Sequence, residues 1–133
     1  VFGVRFCNDD EQLRLFERLE DAIALRKPVR VTYFKERKDP RGKKMTLSTG
    51  EQMYIKVTRT VEPYELCQTL AGHLTVKVMD RSPEGEERPA SRTIRLDRIA
   101  FSRRQRRPLM QVMFTGRWLC PSPLDETDRI VST

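Results

Sequence analysis

Three stretches carry most of the fold information: Arg59-Thr60-Val61-Glu62-Pro63-Tyr64-Glu65-Leu66, then Gly72-His73-Leu74-Thr75-Val76-Lys77-Val78-Met79-Asp80-Arg81, then Arg92-Thr93-Ile94-Arg95-Leu96-Asp97-Arg98-Ile99. Apolar and polar residues alternate with the period of a half-buried strand. In the third stretch the arginines recur every third residue. Ile99 there lies on the opposite parity from Ile94 and Leu96, which predicts a turn at Asp97.

Upstream, Val29-Arg30-Val31-Thr32-Tyr33-Phe34 is rich in β-branched and aromatic residues and reads as a strand. Met53 to Arg59 reads as another, with Met53, Ile55 and Val57 on one face. Lys38-Asp39-Pro40-Arg41-Gly42-Lys43-Lys44 is a turn by its Pro and Gly, and Ser82 to Pro89 is a loop. Before the strands, Asn8-Asp9-Asp10-Glu11 has the chemistry of a helix start, because Asn accepts free backbone N–H groups and acids suit the positive helix end. Leu13, Phe16, Leu19 and Ile23 follow at helical spacing, widened by Leu15, Ala22 and Leu25. Pro28 disfavours helical geometry at Lys27 and sets the end.

One helix followed by about five short strands predicts a mainly β (α+β) fold. Closing so small a sheet removes its exposed edges, so a small β-barrel preceded by one amphipathic helix is expected. Residues 1–8 are a lead-in and 9–107 the domain, with the helix over 9–27. Residues 108–133 are an extension that covers the barrel or mediates dimerisation, with the tail 121–133 loosely held.

The 133 residues suffice for one domain with a modest core. Lys and Arg number 26 against 19 Asp and Glu, a net charge of +7, and the pI is near 9.7. A pI above about 9 is one footprint of a nucleic-acid partner. The charge is segregated: residues 26–59 hold eleven basic side chains against Glu36, Asp39 and Glu51, and residues 92–107 hold seven arginines against Asp97. Segregation of this kind makes a patch that steers polyanions.

Cys7, Cys67 and Cys120 are far apart and His73 is the one histidine, so the chain offers no zinc-ligand spacing. The cysteines read as reduced thiols of a cytoplasmic protein. Neither a membrane span nor a signal peptide is legible. No metal or other cofactor is expected. With one histidine, no glycine-rich phosphate loop and no nucleophile–base arrangement, the expectation is a protein that is not an enzyme.

The chain resembles the WYL domain family, Sm-like (SH3-type) barrels of bacterial and phage regulators. The family pattern is a helix, a strand ending in Tyr, an Arg-x-Val-x-Pro-x-x-Leu stretch, a Gly-x-Trp-Tyr-Leu strand closing in an acid, and Arg-x-Phe-x-Leu-Asp-Arg-Ile. Here these are Tyr33; Arg59, Val61, Pro63 and Leu66; Gly72 to Asp80; and Arg92, Ile94, Leu96, Asp97, Arg98 and Ile99. The resemblance covers roughly residues 10–103. It departs at the name-giving position, where Leu74-Thr75-Val76 replaces the aromatic pair. The DNA-binding helix-turn-helix and C-terminal extension domain common in the family are not within the chain, so it is a stand-alone domain or an excised piece.

The resemblance implies a regulatory ligand-sensing domain that binds a nucleotide or single-stranded nucleic acid and controls a transcriptional or anti-phage regulator. The implied binding residues are Arg92, Arg95 and Arg98, whose planar forks suit phosphate; Arg59 and Lys77 as further cations; and Tyr33 as a stacking face. For each arginine the competing role is an ion pair with Asp97 or Asp80. For Tyr33 the competing role is core, and Tyr64 reads as core. His73, after Gly72 at a turn, either joins the binding residues or is a solvent-exposed turn residue. Arg103, Arg104, Arg106 and Arg107 form a secondary basic patch, either solvated or binding phosphate non-specifically. Leu109, Met110, Val112, Met113, Phe114 and Trp118 either cover the barrel or form a homodimer or partner interface. A protein–protein adaptor with a merely basic surface is the alternative function.

Overall fold

The computed structural model describes residues 3–81, 89–113, Gly116 and Trp118. The expected loop at Ser82–Pro89 (except Pro89), Phe114, Cys120 and the tail 121–133 lie outside the described residues. Element order is β1 (Val4–Phe6), α1 (Asp9–Ala24), β2 (Val29–Glu36), β3 (Tyr54–Gln68), β4 (Leu74–Asp80), β5 (Ala90–Arg95), a 3₁₀ turn (Leu96–Arg98), β6 (Ala100–Ser102), β7 (Arg107–Pro108) and β8 (Met110–Val112). The fold is mainly β with one helix, as the alternation predicts. No helix among the described residues is long and apolar enough to cross a membrane.

Helix α1 starts where Asn8 and Glu11 satisfy each other's backbone. Glu11 N donates to Asn8 Oδ1 at 2.9 Å, and Asn8 N donates to Glu11 Oε1 at 2.8 Å. It stops at Ala24, earlier than expected. Lys27 N reaches back to Ala22 O and Arg26 N to Ile23 O, with Arg26 in the left-handed region at φ 51°. The buried stripe is Glu11, Leu15, Leu19 and Ala22, whereas Leu13 is exposed. The stripe is therefore rotated from the Leu13–Phe16–Leu19–Ile23 reading. Glu11 tolerates burial because Arg5 grips both its oxygens, at 2.7 and 2.8 Å, and that bond holds its carboxyl below the usual range.

Two antiparallel sheets form, one ordered β5-β4-β3-β2-β8 and the other β1-β6-β7. Strand β3 is the hinge of the architecture. Its first half, Tyr54 to Val61, pairs with β2; its second half, Val61 to Gln68, pairs with β4. Only Val61 faces both, and a register shift follows between Pro63 and Glu65. Pro63 is tolerated because it lies past the end of the β2 pairing, so β3 is flanked on one side only. The handover with a bulge lets a 15-residue strand fold the sheet over on itself. The two sheets meet at one bridge, Tyr33 to Ile99. This bridge stands where the closing seam of the expected barrel falls; the assigned strand pairs among the described residues do not form a continuous ring.

The core lies between the inner face of the bent sheet and α1. Leu15, Leu19, Val29, Val31, Tyr33, Val61, Val76, Val78, Ile94, Leu96 and Ile99 are its members. Ile55 was expected on that face but is exposed, because the start of β3 runs past the core. Beyond it, residues 37–53 make two small turns, bridged at Lys38–Lys44 and Thr46–Gln52. Met110 is buried and β8 extends the sheet beside β2.

Cys7 is buried. Burial, with Glu11 nearby, pushes its thiol up to about 12. Folded Cys7 thus keeps its proton from an unfolded value of about 8.5 up to that value, and its contribution to stability falls as pH rises through this window. At pH 8 iodoacetamide should alkylate the half-buried Cys67 before Cys7. Peptide mass spectrometry checks this; equal rates would place Cys7 at the surface.

Candidate anion-binding site

The 3₁₀ turn and β5 decide where the arginines point. Strand side chains alternate, so two arginines three residues apart in a strand face opposite ways. Arg92 shares parity with Ile94 and Leu96 and lies at the rim of the inner face, while Arg95 projects from the outer face. Arg98 belongs to the turn. The three therefore do not form one surface, and each meets its own carboxylate.

Arg92 and Arg59 converge. Register places Asp80 opposite Val61 and Arg92 opposite Val78, so Arg59, Asp80 and Arg92 gather at one end of the core. Arg92 Nε donates to Asp80 Oδ2 at 3.0 Å, and Arg59 Nη1 donates to the same oxygen at 3.2 Å. The Arg59 side chain is 11% exposed, Asp80 3% and Arg92 29%. Arg59 Nε is buried with no hydrogen-bond partner. Two guanidiniums on one carboxylate leave donors in excess, and a buried donor without an acceptor costs roughly 1–3 kcal/mol unless a ligand satisfies it.

The other expected residues go elsewhere. Arg95 forms a two-pronged pair with Asp97, Nε to Oδ1 at 3.0 Å and Nη2 to Oδ2 at 2.6 Å, which raises its pKa above the ordinary arginine value. His73 stands beside it, Nδ1 3.3 Å from Arg95 Nη2, and is half-buried after a turn in which Gly72 takes φ 90°. Arg98 donates to Glu36 Oε1 at 2.8 Å and lies 5.6 Å from the centre of the Tyr54 ring. Lys44, then Arg98, holds the Glu36 carboxyl below its usual range. Lys77 pairs with its cross-strand neighbour Glu65 at 3.3 Å, which raises its pKa. Tyr33 is buried in the core and presents no stacking face. Tyr64 is buried too, its hydroxyl 2.8 Å from Ser91 Oγ.

The secondary patch is the turn between β6 and β7. Arg103, Arg104, Arg106 and Arg107 are exposed, and Arg106 takes the left-handed φ of 56°. Sequence reading missed the aromatic group beside Arg98, where Phe6 meets Phe34 at 4.9 Å and Tyr54 at 5.3 Å. The even parity of Tyr54 against Met53, Ile55 and Val57 was the available signal. It also missed Asp80 as the shared partner of two arginines. Of the late apolar cluster, Met110 is buried and Trp118 stands edge-on to Tyr64 at 6.3 Å, an intramolecular use of both. Among the described residues no three His, Cys, Asp or Glu side chains converge as a metal set.

No family model, curated protein or solved structure matches the chain.

Proposed function

We propose that this chain is a WYL-like regulatory module that binds a nucleotide or single-stranded nucleic acid through the Arg59–Asp80–Arg92 cluster. In this reading it does no chemistry on the ligand. The bound form biases a transcriptional or anti-phage regulator in the cytoplasm. The observation that carries it is the excess of guanidinium donors over carboxylate at that cluster, with Arg59 Nε buried and without an acceptor. A phosphate oxygen supplies what that donor lacks. Asp80 holds the two forks in place beforehand, which lowers the ordering cost of binding. The family likeness adds weight because Arg59, Asp80 and Arg92 are among the positions that carry it. Arg95 and Arg98, each on its own carboxylate, drop to supporting roles.

Fluorescence anisotropy with labelled single-stranded DNA, single-stranded RNA and duplex DNA at two salt concentrations tests the binding. The expected result is a preference for one single strand that persists at the higher salt. A site contacting two or three phosphates has a shallow salt slope, about −0.7 per phosphate on a single strand. Binding that is absent, or equal for all three and lost with salt, counts against the module and for an adaptor whose surface is merely basic.

A further inference from the structure

Three arginines without a carboxylate partner among the described residues lie on a different face. Arg5, Arg59, Arg81, Arg92, Arg95 and Arg98 are all in ion pairs. Arg18, Arg30 and Arg107 instead line one open cleft of about 380 Å³, and no Asp or Glu is among its lining residues. The cleft sits against the outer face of β2 and β3. Arg30 and Thr32 alternate outward from buried Val29, Val31 and Tyr33, and Thr32 and Thr58 join their hydroxyls at 2.8 Å on its floor. Its far wall is the β7–β8 segment.

Two of the three guanidiniums are held in place by neutral acceptors. Arg18 Nη2 donates to the Met110 carbonyl at 3.0 Å, and Arg107 Nε donates to Gln105 Oε1 at 2.9 Å. Gln105 is itself fixed, its N–H on Ser102 Oγ at 3.1 Å, in the turn that carries left-handed Arg106. The Arg30 side chain has neither a hydrogen bond nor an ion pair among the described residues, and it is exposed. Three formal positive charges thus face a concave space without local neutralisation, which concentrates an anion there.

We propose that this cleft is a second anion site, separate from the Arg59–Asp80–Arg92 cluster, and that it takes a nucleoside diphosphate. Three guanidiniums match two adjacent phosphates by charge and by forked geometry. The volume lies at the small end of the range for small-molecule sites, about 300–1,000 Å³, so it suits one nucleotide rather than a strand. Pro108 and Leu109 supply an apolar wall for a base. Gln111, paired in register with Arg30, offers an amide that can both donate to and accept from a base edge.

Isothermal titration calorimetry of the full chain with ADP, pyrophosphate and adenosine tests the site. ADP is expected to bind more tightly than pyrophosphate, with adenosine weakest. Arg30→Gln and Arg107→Gln should each weaken ADP by roughly tenfold, the effect of losing a charge-assisted contact. Both side chains are exposed, so both variants should melt like the parent. Arg92→Gln should leave the Arg30- and Arg107-dependent ADP binding in place, and Arg30→Gln should leave single-strand affinity unchanged, which separates failure of this site from failure of the other. No ADP binding, equal affinity for ADP and pyrophosphate, or loss of ADP in Arg92→Gln alone would each overturn the proposal.

Discussion

Replacing Asp80 with Ala should lower the unfolding free energy by about 3 kcal/mol, toward the lower end of what is lost when one partner of a buried ion pair is removed. Asp80 is 2% exposed and takes a guanidinium from each of two strands. Without it, Arg59 stays almost wholly inside with its charge uncompensated, beside an Nε that already lacks an acceptor. Arg92 can swing outward because it is partly exposed, which keeps the loss at the lower end. The same picture predicts a rescue. Arg59→Met in the Asp80→Ala background should recover part of the loss, because a neutral side chain of similar length no longer needs the carboxylate. Urea denaturation of parent, single and double variants measures both effects. A loss under about 1 kcal/mol, or a double variant no better than Asp80→Ala, would mean that the cluster is solvated and not built into the core.

Leu19→Ala should cost about 3–4 kcal/mol, within the range for emptying a buried leucine site. Leu19 is 1% exposed and faces a small apolar cavity with Val29, Val61, Val76, Ile94 and Ile99. Truncation enlarges a void that strands on three sides cannot collapse to fill. Leu13→Ala on the same helix should change stability by under about 0.5 kcal/mol, since Leu13 is exposed. The contrast, read from urea midpoints at constant slope, tests the rotation of α1 on the sheet. Equal losses would contradict it.

Much of the architecture was legible because it depends on near neighbours. Asn8 and Glu11 stand three apart and announce the helix start. The alternation in Leu74 to Val78 and the parity break at Asp97 announce β4 and the 3₁₀ turn. The rotation of α1 was harder to read, because Leu13 and Leu15 are equally apolar and only the packed sheet chooses between them. The site was less legible still. Arg95 and Asp97 are two residues apart, but Arg92 finds its carboxylate 12 residues away, Arg59 21 and Arg98 62. A spacing of three suggests one row of arginines only if the backbone keeps one period. Here a strand gives way to a 3₁₀ turn within seven residues, and the row divides. The cleft draws Arg18, Arg30 and Arg107 from three remote segments, and no local pattern joins them.

In the proposed function Arg92, held on Asp80 beside Arg59, contacts phosphate, whereas Arg98, held on Glu36, does not. The measurement is anisotropy of one labelled single-stranded oligonucleotide with Arg92→Gln and with Arg98→Gln, each confirmed folded by thermal melting. Each variant leaves its carboxylate a second cation, Arg59 for Asp80 and Lys44 for Glu36, so neither substitution strands a bare carboxylate. Arg92→Gln should weaken binding by roughly tenfold or more and Arg98→Gln by less than about threefold. Equal affinities for the two variants, or the larger loss in Arg98→Gln, would contradict the site.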